Sequence, residues 1–199
     1  MDLGLYEQLN GWTDRHDAVA GVFGFFTSAG LSLFVALLGA LFLAAGTWRS
    51  VNGRHAVAAA GFSAALALGI AQVIGHLWDR PRPYEAHPRH AHLIDLSPSP
   101  DPSFPSDHAA GSYAIAFAIL LRHRKAGVLA LILATMISLS RVALGTHYPT
   151  DVVGGAAVGA LAALMLWAPP VRARLHALAD WAGALYERVL ASLRPAEPV

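Results

Sequence analysis

The sequence predicts an all-α protein that crosses a membrane several times as a polytopic transmembrane helical bundle. Of its 199 residues, 55% are hydrophobic and only 14% are charged, and the mean hydropathy is +0.47. An average soluble domain carries about 25% charged residues, so this chain lacks the polar surface that a water-soluble particle needs. No linker or low-complexity run divides the chain, and we expect one membrane-embedded domain over residues 1–199.

The apolar residues fall into five stretches, which cover residues 18–48, 56–78, 109–121, 126–144 and 152–168. A helix that spans a bilayer needs about 20 apolar residues, with about 17 tolerated, so the second, fourth and fifth stretches suffice. The third is long enough if its helix runs from Ser106 to Arg122. The first is too long for one ordinary span, and it fits either a tilted helix or a hairpin broken near residues 27–30. We therefore predict five or six membrane segments.

Two further features concern how these segments are arranged. Residues 3–12 have the pattern of a short amphipathic helix, which we expect to lie at the membrane interface. In the last apolar stretch, Gly155 and Gly159 form a GxxxG pattern, which allows helices to approach closely in lipid. We interpret that pattern as helix packing only.

Short basic loops predict the orientation in the membrane. The basic residues of alternate loops are Arg49, Arg54, Arg122, Arg124, Lys125, Arg172 and Arg174. The positive-inside rule assigns these loops to the cytoplasm of a multi-pass cell-membrane protein. The loops over residues 79–105 and 141–149 would then face the periplasm or the cell exterior.

Two features of the composition limit the chemistry. The sequence contains no cysteine, which excludes disulfides, thiolate metal sites and cysteine nucleophiles. Its net charge of +1 gives no global electrostatic basis for binding nucleic acid. We therefore expect the partners to be the membrane and a lipid, and the oligomeric state stays open.

A first polar cluster, residues 79–83 (DRPRP), ends the second apolar stretch. Proline disfavours helix in the residue before it, so Arg80 and Arg82 should lie in an extended segment at the membrane surface. Arginine forks match phosphate oxygens in a bidentate manner. A membrane anchor of two snorkelling arginines would explain the cluster equally well.

A second cluster, residues 103–108 (SFPSDH), comes directly before an apolar helix. Ser106 is suited to the N-cap position, and the free backbone amides of the first turn form a potential anion site. His108 lies in that turn and could act as an acid. On this cluster alone, a capped helix with an incidental histidine is the simpler interpretation.

A third cluster begins with Ser140 and Arg141 and continues from His147 to Asp151. Pro149 suits the first position of the last membrane helix, which puts Asp151 in the first turn. We expect Asp151 to accept a hydrogen bond from the ring of His147, fixing its tautomer and raising its basicity. Alternatively, Asp151 is there only because a carboxylate is favourable near a helix N-terminus.

In order and spacing, the three clusters resemble the signature of the type-2 phosphatidic acid phosphatase superfamily. That signature reads Lys-x6-Arg-Pro, Pro-Ser-Gly-His and Ser-Arg-x5-His-x3-Asp, and here it extends over residues 75–151. Two positions depart from it: Gly75 stands where the family has lysine, and Asp107 where it has glycine. With Asp107 and the Arg-Pro-Arg-Pro run, the chain most resembles bacterial undecaprenyl-diphosphate phosphatases of the bacitracin-resistance type.

The resemblance implies a role for each residue of the site. His147 would attack phosphorus and form a phosphohistidine, Asp151 would orient it, and His108 would protonate the leaving group. The residues implied in substrate binding are Arg82, Arg141, Ser106, Asp107 and Arg80, with Arg80 or His76 as the replacement for the family lysine. The resemblance implies neither a metal nor another cofactor, and we interpret the histidines in the proline-rich loop over residues 87–92 as solvated.

The implied function is hydrolysis of a polyprenyl diphosphate, such as undecaprenyl diphosphate, to the monophosphate on the outer face of the cytoplasmic membrane. A phosphatase for phosphatidylglycerol phosphate or phosphatidic acid is the alternative within the superfamily. A proton-gated membrane transporter is an alternative of another class. It would require charged groups in the middle of the spans, and those positions are almost wholly apolar.

Overall fold

The computed structural model describes residues 2–44, 51–94, 96 and 98–193. Within these residues the secondary structure consists of helices without any strand, which confirms the predicted all-α class. The helices found there are α1 (Asp2–Asp14), α2 (Asp17–Ala44), α3 (Val51–Trp78), α4 (Pro83–Ala86), α5 (Asp107–Leu120), α6 (Arg124–Ala143), α7 (Pro149–Trp167) and α8 (Pro169–Leu193).

Helix α5 lies at the centre of the bundle, in contact with α3, α6 and α7. Its buried positions are mostly alanines, and these small side chains let three helices approach one central helix. Helix α2 packs on α6, and α8 packs on α3. Buried side chains such as Phe34, Ile119 and Ile137 fill the space between α2, α5 and α6.

The contact between α5 and α7 depends on the GxxxG glycines. A Cβ atom at Gly155 would lie 2.5 Å from the carbonyl oxygen of Ser106, and one at Gly159 would lie 2.5 Å from that of Ala110. Both distances are too short for a side chain, so the packing role predicted for this pattern is confirmed. The close approach also brings the first turns of the two helices together, and the Ser106 amide donates to the Asp151 carbonyl at 3.0 Å.

Three segments of the described chain are long and apolar enough to cross a membrane: Gly53–Ala86, Arg124–Ala143 and Pro149–Trp167. Two parts of α2, Asp17–Gly30 and Ser32–Ala40, are bent by 58° and add a fourth if they are counted as one span. The predicted number of five or six segments is not confirmed. Residues 45–48 of the first apolar stretch and Arg49 of the orientation argument lie outside the described residues.

Helix α5 is shorter than the sequence predicted. It begins at Asp107 and ends at Leu120, so Arg122 lies in the turn that follows. Fourteen residues rise about 21 Å, less than the roughly 30 Å of a bilayer core. Because neighbouring helices surround α5, it does not have to match the thickness of the lipid.

The bundle has two chemically different ends. The α1 end carries α1 and the loops over residues 79–106 and 144–148, whereas the α8 end carries the turn at 121–123 and the start of α8. Helix α1, the predicted interfacial helix, also holds the loops in place, because Asn10 donates to the carbonyls of His92 at 2.9 Å and Ala143 at 3.0 Å. Helix α8 was not predicted from the sequence.

Candidate active site

A polar cavity of about 100 Å³ lies at the α1 end. Its lining residues are Arg82, Ser99, Asp101, Pro102, Pro105, Asp107, His108, Arg141 and His147. The structure therefore brings together five of the eight predicted site residues, from all three sequence clusters. The other three, Arg80, Ser106 and Asp151, are not among the residues that line this cavity.

His147 is fixed in one orientation between α6 and α7. Its ring is only 3% exposed, and its Nδ1 atom lies 2.8 Å from the carbonyl oxygen of Ser103. Because a carbonyl can only accept, Nδ1 carries the proton and Nε2 keeps its lone pair. Nε2 lies 3.5 Å from Nη1 of Arg82. Burial lowers the pKa of His147, against the opposing effect of Asp151, so the ring is held neutral.

Asp151 lies behind His147 and is fully buried. Its Oδ2 accepts hydrogen bonds from the Ser103 hydroxyl at 2.6 Å and the Tyr148 amide at 2.8 Å, and its Oδ1 accepts one from Arg80 at 2.6 Å. The distance from Oδ2 to His147 Nδ1 is 3.8 Å, longer than a hydrogen bond. The direct bond predicted between His147 and Asp151 is therefore replaced by one to the Ser103 backbone, with Asp151 one contact away.

Arg80 supports this buried carboxylate instead of facing the cavity. Its guanidinium contacts Asp151, donates to Asp2 at 2.8 Å, and lies 4.0 Å from the centroid of the Tyr148 ring. Burial alone would raise the pKa of Asp2, but hydrogen bonds from Thr150 and Arg80 outweigh it and hold the pKa below its usual value. The contact with Arg80 also stabilises the buried Asp151 carboxylate, because an isolated buried charge would be costly.

Arg82 and Arg141 are the two cationic side chains of the cavity, 5% and 8% exposed respectively. Arg82 is oriented mainly by backbone oxygens, through a bond from Nε to the Asp101 carbonyl at 2.8 Å and a longer one to the Thr146 carbonyl at 3.3 Å. Nε of Arg141 is buried and has no hydrogen-bond partner. Among the residues that the structure describes, neither guanidinium forms an ion pair with a carboxylate. Both guanidinium groups are therefore available to bind an anion, in a cavity that Asp101 and Asp107 also line.

The first turn of α5 provides the remaining polar groups. Ser106 occupies the predicted N-cap position without a side-chain capping bond, and its buried hydroxyl has no hydrogen-bond partner. Asp107 accepts a bond from Gln72 at 2.6 Å. Asp107 and His108 also line a second, apolar pocket of about 260 Å³, so they stand where a polar and an apolar cavity meet.

Two histidines of the proline-rich loop, His90 and His92, contact acidic residues of α1. His90 lies 3.3 Å from Glu7 and His92 lies 3.8 Å from Asp14, and both contacts join the loop to α1. Within the described ranges, no group of three or more His, Cys, Asp or Glu residues converges in a way that could hold a metal ion.

Comparison with known proteins decides the family. The family model described as the PAP2 superfamily matches residues 56–174. This chain belongs to the PAP2 superfamily. It is 30% identical over 158 residues to undecaprenyl-diphosphatase BcrC of Bacillus subtilis, a match that covers 79% of this chain and 78% of the relative. The chain is a multi-pass membrane protein built on apolar helices.

Other relatives of this PAP2 chain match over a shorter length. It is 36% identical to the bacitracin transport permease protein BcrC of Bacillus licheniformis, over 64% of this chain and 61% of that relative. It is 41% identical to the decaprenylphosphoryl-5-phosphoribose phosphatase of Mycobacterium tuberculosis, over 64% of this chain and 65% of that relative. The matched part thus spans about three fifths of the first of these relatives.

Two solved structures share the fold. LpxE of Aquifex aeolicus superposes with a TM-score of 0.61 and 23% identity, covering 82% of this chain and 93% of that one. The PAP2-type phosphatidylglycerolphosphate phosphatase of Bacillus subtilis gives a TM-score of 0.54 and 23% identity, covering 82% and 83%. At this identity the superpositions show a common architecture.

The candidate site includes two residues to which the sequence analysis gave no role. Ser103 holds His147 through its carbonyl and Asp151 through its hydroxyl, although it belongs to the second sequence cluster. Asp2 contacts Thr150 and Arg80 from the far end of the chain, and no sequence signal indicates that contact. Neither Arg80 nor His76, the two expected replacements for the family lysine, is among the lining residues of the cavity.

Proposed function

We propose that the protein hydrolyses a polyprenyl diphosphate to the monophosphate and inorganic phosphate, through a phosphohistidine on His147. The observation that carries this proposal is the convergence on one cavity of an unprotonated Nε2 atom and two arginines without carboxylate partners. Such a site provides a nucleophile and positive charge for a phosphoryl group.

In the first step, Nε2 of His147 attacks phosphorus and the bond to the leaving oxygen breaks. Nδ1–H keeps its bond to the Ser103 carbonyl as positive charge develops on the ring, and Asp151 at 3.8 Å stabilises that charge. His108 donates a proton to the leaving oxygen. In the second step, water gives a proton to His108, attacks phosphorus and releases phosphate, which restores neutral His147.

The phosphoryl oxygens would bind to groups that have spare hydrogen-bonding capacity. These are the guanidinium groups of Arg82 and Arg141, including the unpartnered Nε of Arg141, and the unpartnered hydroxyl of Ser106. The amides at the start of α5, which receive no side-chain cap, complete the set. We assign Asp107, at the junction of the two cavities, to the leaving-group part of the substrate, and Arg80 to the positioning of Asp151.

The apolar pocket supports a lipid substrate. It is lined by Phe34, Leu68, Ile115 and Ile137 and shares His108 with the polar cavity. A substrate with its phosphate near His147 would extend its hydrocarbon chain along these side chains past His108, the proposed acid. The name of the Bacillus subtilis relative supports a polyprenyl diphosphate as that substrate.

A second candidate substrate is a polyprenyl-phosphate-linked sugar phosphate. It is favoured by the 41% identity to the decaprenylphosphoryl-5-phosphoribose phosphatase, which is higher than the 30% identity to undecaprenyl-diphosphatase BcrC. Both candidates have a polyprenyl chain. The leaving group is the polyprenyl monophosphate in the diphosphate and the sugar hydroxyl in the sugar phosphate. The transporter alternative has less support, because the polar cavity is small and lies at one end of the bundle.

Phosphate release by the purified protein in detergent tests these candidates. The panel consists of undecaprenyl diphosphate, decaprenylphosphoryl-5-phosphoribose, phosphatidylglycerol phosphate and phosphatidic acid, each with EDTA present. We expect kcat/KM for the diphosphate to exceed the others by ~10-fold or more, because its leaving group needs the least help. A preference for another lipid contradicts the substrate assignment. Loss of turnover in EDTA that Mg²⁺ restores contradicts the assignment of roles.

Cysteine labelling tests the proposal that the site faces the periplasm or cell exterior. The chain has no cysteine, and both Arg89 at the α1 end and Arg174 at the α8 end are exposed. We expect Arg89→Cys to react with an impermeant reagent in intact cells, and Arg174→Cys to react only after lysis, since basic residues gather at the α8 end. The reverse pattern would overturn the orientation.

A further inference from the structure

A third cavity, larger than the two already described, lies at the α8 end of the bundle. It has a volume of about 560 Å³ and lies where the turn after α5, the end of α7 and the start of α8 meet. The polar and aromatic side chains that line it are His55, Arg122, His123, Trp167, Arg172 and His176. The proposed reaction uses none of them, since α7 separates the two ends by about 28 Å over its 19 residues.

The charge of this pocket is one-sided. Arginines and histidines line it, and the lining residues that the structure describes include no aspartate or glutamate. Asp180, on the same helix as Arg172 and His176, accepts from His55 at 3.1 Å and from Arg54 at 3.4 Å. Asp180 is therefore engaged with the start of α3, and the two arginines of the pocket keep an excess of positive charge.

Aromatic rings hold these cations in place. The Trp167 ring centroid lies 4.8 Å from the guanidinium carbon of Arg122 and 4.5 Å from that of Arg172. His176 stacks on His55 with the ring centroids 3.7 Å apart. Side chains fixed in this way lose little entropy when they bind a ligand, so the pocket is partly organised before any ligand enters.

Two nitrogen atoms of the pocket residues are buried without a hydrogen-bond partner. They are Nη2 of Arg122, whose Nη1 donates to the Ala118 carbonyl at 3.2 Å, and Nε2 of His176. An unpaired buried donor is costly, and an anion accepting from it would remove that cost. Burial and the neighbouring Arg172 also lower the pKa of Arg122, as expected for a cation that lacks an anionic partner.

Helix α8 contributes Arg172 and His176 to this pocket and has an apolar side. The helix presents an exposed apolar face of Leu178, Trp181, Leu185 and Val189, the pattern of a helix that lies in a membrane interface. Residues 176–187 of α8 contact residues 54 and 55 of α3, so α8 crosses the end of α3. We propose that the pocket formed by Arg122, Arg172 and His176 is a second site, which binds a phosphate group.

Fluorescence of Trp167 gives a direct measure of binding that does not depend on turnover. The signal of the full-length protein in a neutral detergent, minus that of Trp167→Phe, isolates the tryptophan within the pocket. Inorganic phosphate is titrated against chloride at equal ionic strength. A parallel titration uses phosphatidylglycerol in phosphatidylcholine micelles, with phosphatidylcholine alone as its control. A saturable response to phosphate, to phosphatidylglycerol or to both supports the site, and the responding probe identifies a soluble or a lipid source.

Matched variants give the test its specificity. Arg172→Gln should weaken binding by ~10-fold or more, since it removes a charge-assisted contact. Arg174→Gln removes the same charge from an exposed position of the same helix and should change binding by less than ~2-fold. Arg172→Lys keeps the charge without the fork and should fall between them. The proposal is overturned if chloride gives the same response, if Arg172→Gln binds like the wild type, or if Arg174→Gln weakens binding equally.

A variant at the other end separates this site from the proposed reaction. Arg141→Gln should reduce phosphate release and leave the Trp167 response unchanged, because Arg141 belongs to the cavity at the α1 end. If both signals fall together, the response does not come from a second site and the inference is wrong.

Discussion

The two ends of the bundle both gather arginines and histidines around a cavity, but they hold their carboxylates differently. At the α1 end, Asp151 is fully buried and accepts three hydrogen bonds of 2.6–2.8 Å. At the α8 end, the side chain of Asp180 is 46% exposed, and its contacts with His55 and Arg54 are 3.1 and 3.4 Å long.

This difference indicates two kinds of chemistry. His147 has its tautomer fixed by the Ser103 carbonyl, and a fixed unprotonated nitrogen is what a nucleophile requires. His176 is held by stacking on His55, and its Nε2 atom has no hydrogen-bond partner. An arrangement of that kind can bind an anion, but it does not fix the state of a reacting nitrogen. We therefore assign bond making to the α1 end and binding alone to the α8 end.

The largest expected effect is at His147. His147→Gln should lower phosphate release from every phosphorylated lipid by more than ~10⁴-fold, because no covalent intermediate can form. Quenching in alkali, where phosphohistidine persists, should trap labelled phosphate on the wild type and not on this variant. His90→Gln, the same substitution at an exposed histidine of the α1 end, should retain activity. Trapped phosphate on another residue would show that the nucleophile is wrongly assigned.

His108 should have a smaller effect that depends on the leaving group. General acid catalysis is typically worth ~10²–10⁴-fold, so His108→Ala should lose that much activity on an alkyl phosphate. The loss should shrink on an aryl phosphate, whose leaving group needs no proton. The measurement is the ratio of kcat for the two substrates in wild type and variant. An equal loss on both would mean that His108 does not act as the acid.

Asp151 and Asp180 test the comparison with one substitution at each end. Asp151→Asn should lower kcat by roughly 10²-fold, less than the ~10⁴-fold known for an aspartate bonded directly to its histidine, because Ser103 still fixes the tautomer. Asp180→Asn should change kcat by less than ~2-fold, as expected for a substitution far from the reaction. Thermal unfolding of both variants serves as the control for folding. A larger loss for Asp180→Asn would remove the distinction between the two ends.

The sequence predicted best those parts of the site that lie close together in the chain. Arg141 lies in the last turn of α6, His147 in the short loop that follows and Asp151 in the first turn of α7, so their spacing largely determines their geometry. The N-cap position of Ser106 and the first position of Pro149 are confirmed for the same local reason. The catalytic roles and the single domain over residues 1–199 stay predictions.

The remaining features depend on contacts that no local pattern encodes. The bond from His147 to Ser103 uses a backbone carbonyl, and every residue has one. The length of α5 depends on the helices around it instead of on its own composition. Helix α8 does have a local signal, because its apolar residues recur at helical spacing at Leu178, Trp181, Leu185 and Val189. Its charged residues, however, distinguish it from an apolar membrane span.

Acid should destabilise the α1 end through His147. Burial lowers the folded-state pKa of His147, so below the unfolded value of about 6.5 the unfolded chain takes up a proton that the folded chain resists. Stability from this group is therefore fully present above about pH 6.5 and is lost below it, by at most about 1.4 kcal/mol per pH unit. The measurement is the unfolding midpoint between about pH 7.5 and about pH 5.5. His147→Gln should make this dependence shallower than in the wild type, and an unchanged dependence would contradict the prediction.

The smallest expected effect concerns Asp2, which lies outside the cavity and acts through Arg80. Asp2→Asn keeps the shape of the side chain but removes the charge that Arg80 contacts at 2.8 Å. Since Arg80 keeps its bond to Asp151, we expect kcat to fall only ~2–5-fold with KM unchanged, as for a partly exposed ion pair. Asp14→Asn, at the other end of α1, is the matched control and should leave kcat unchanged. A rise in KM for Asp2→Asn without a change in kcat would show that α1 contributes to substrate binding instead of positioning Asp151.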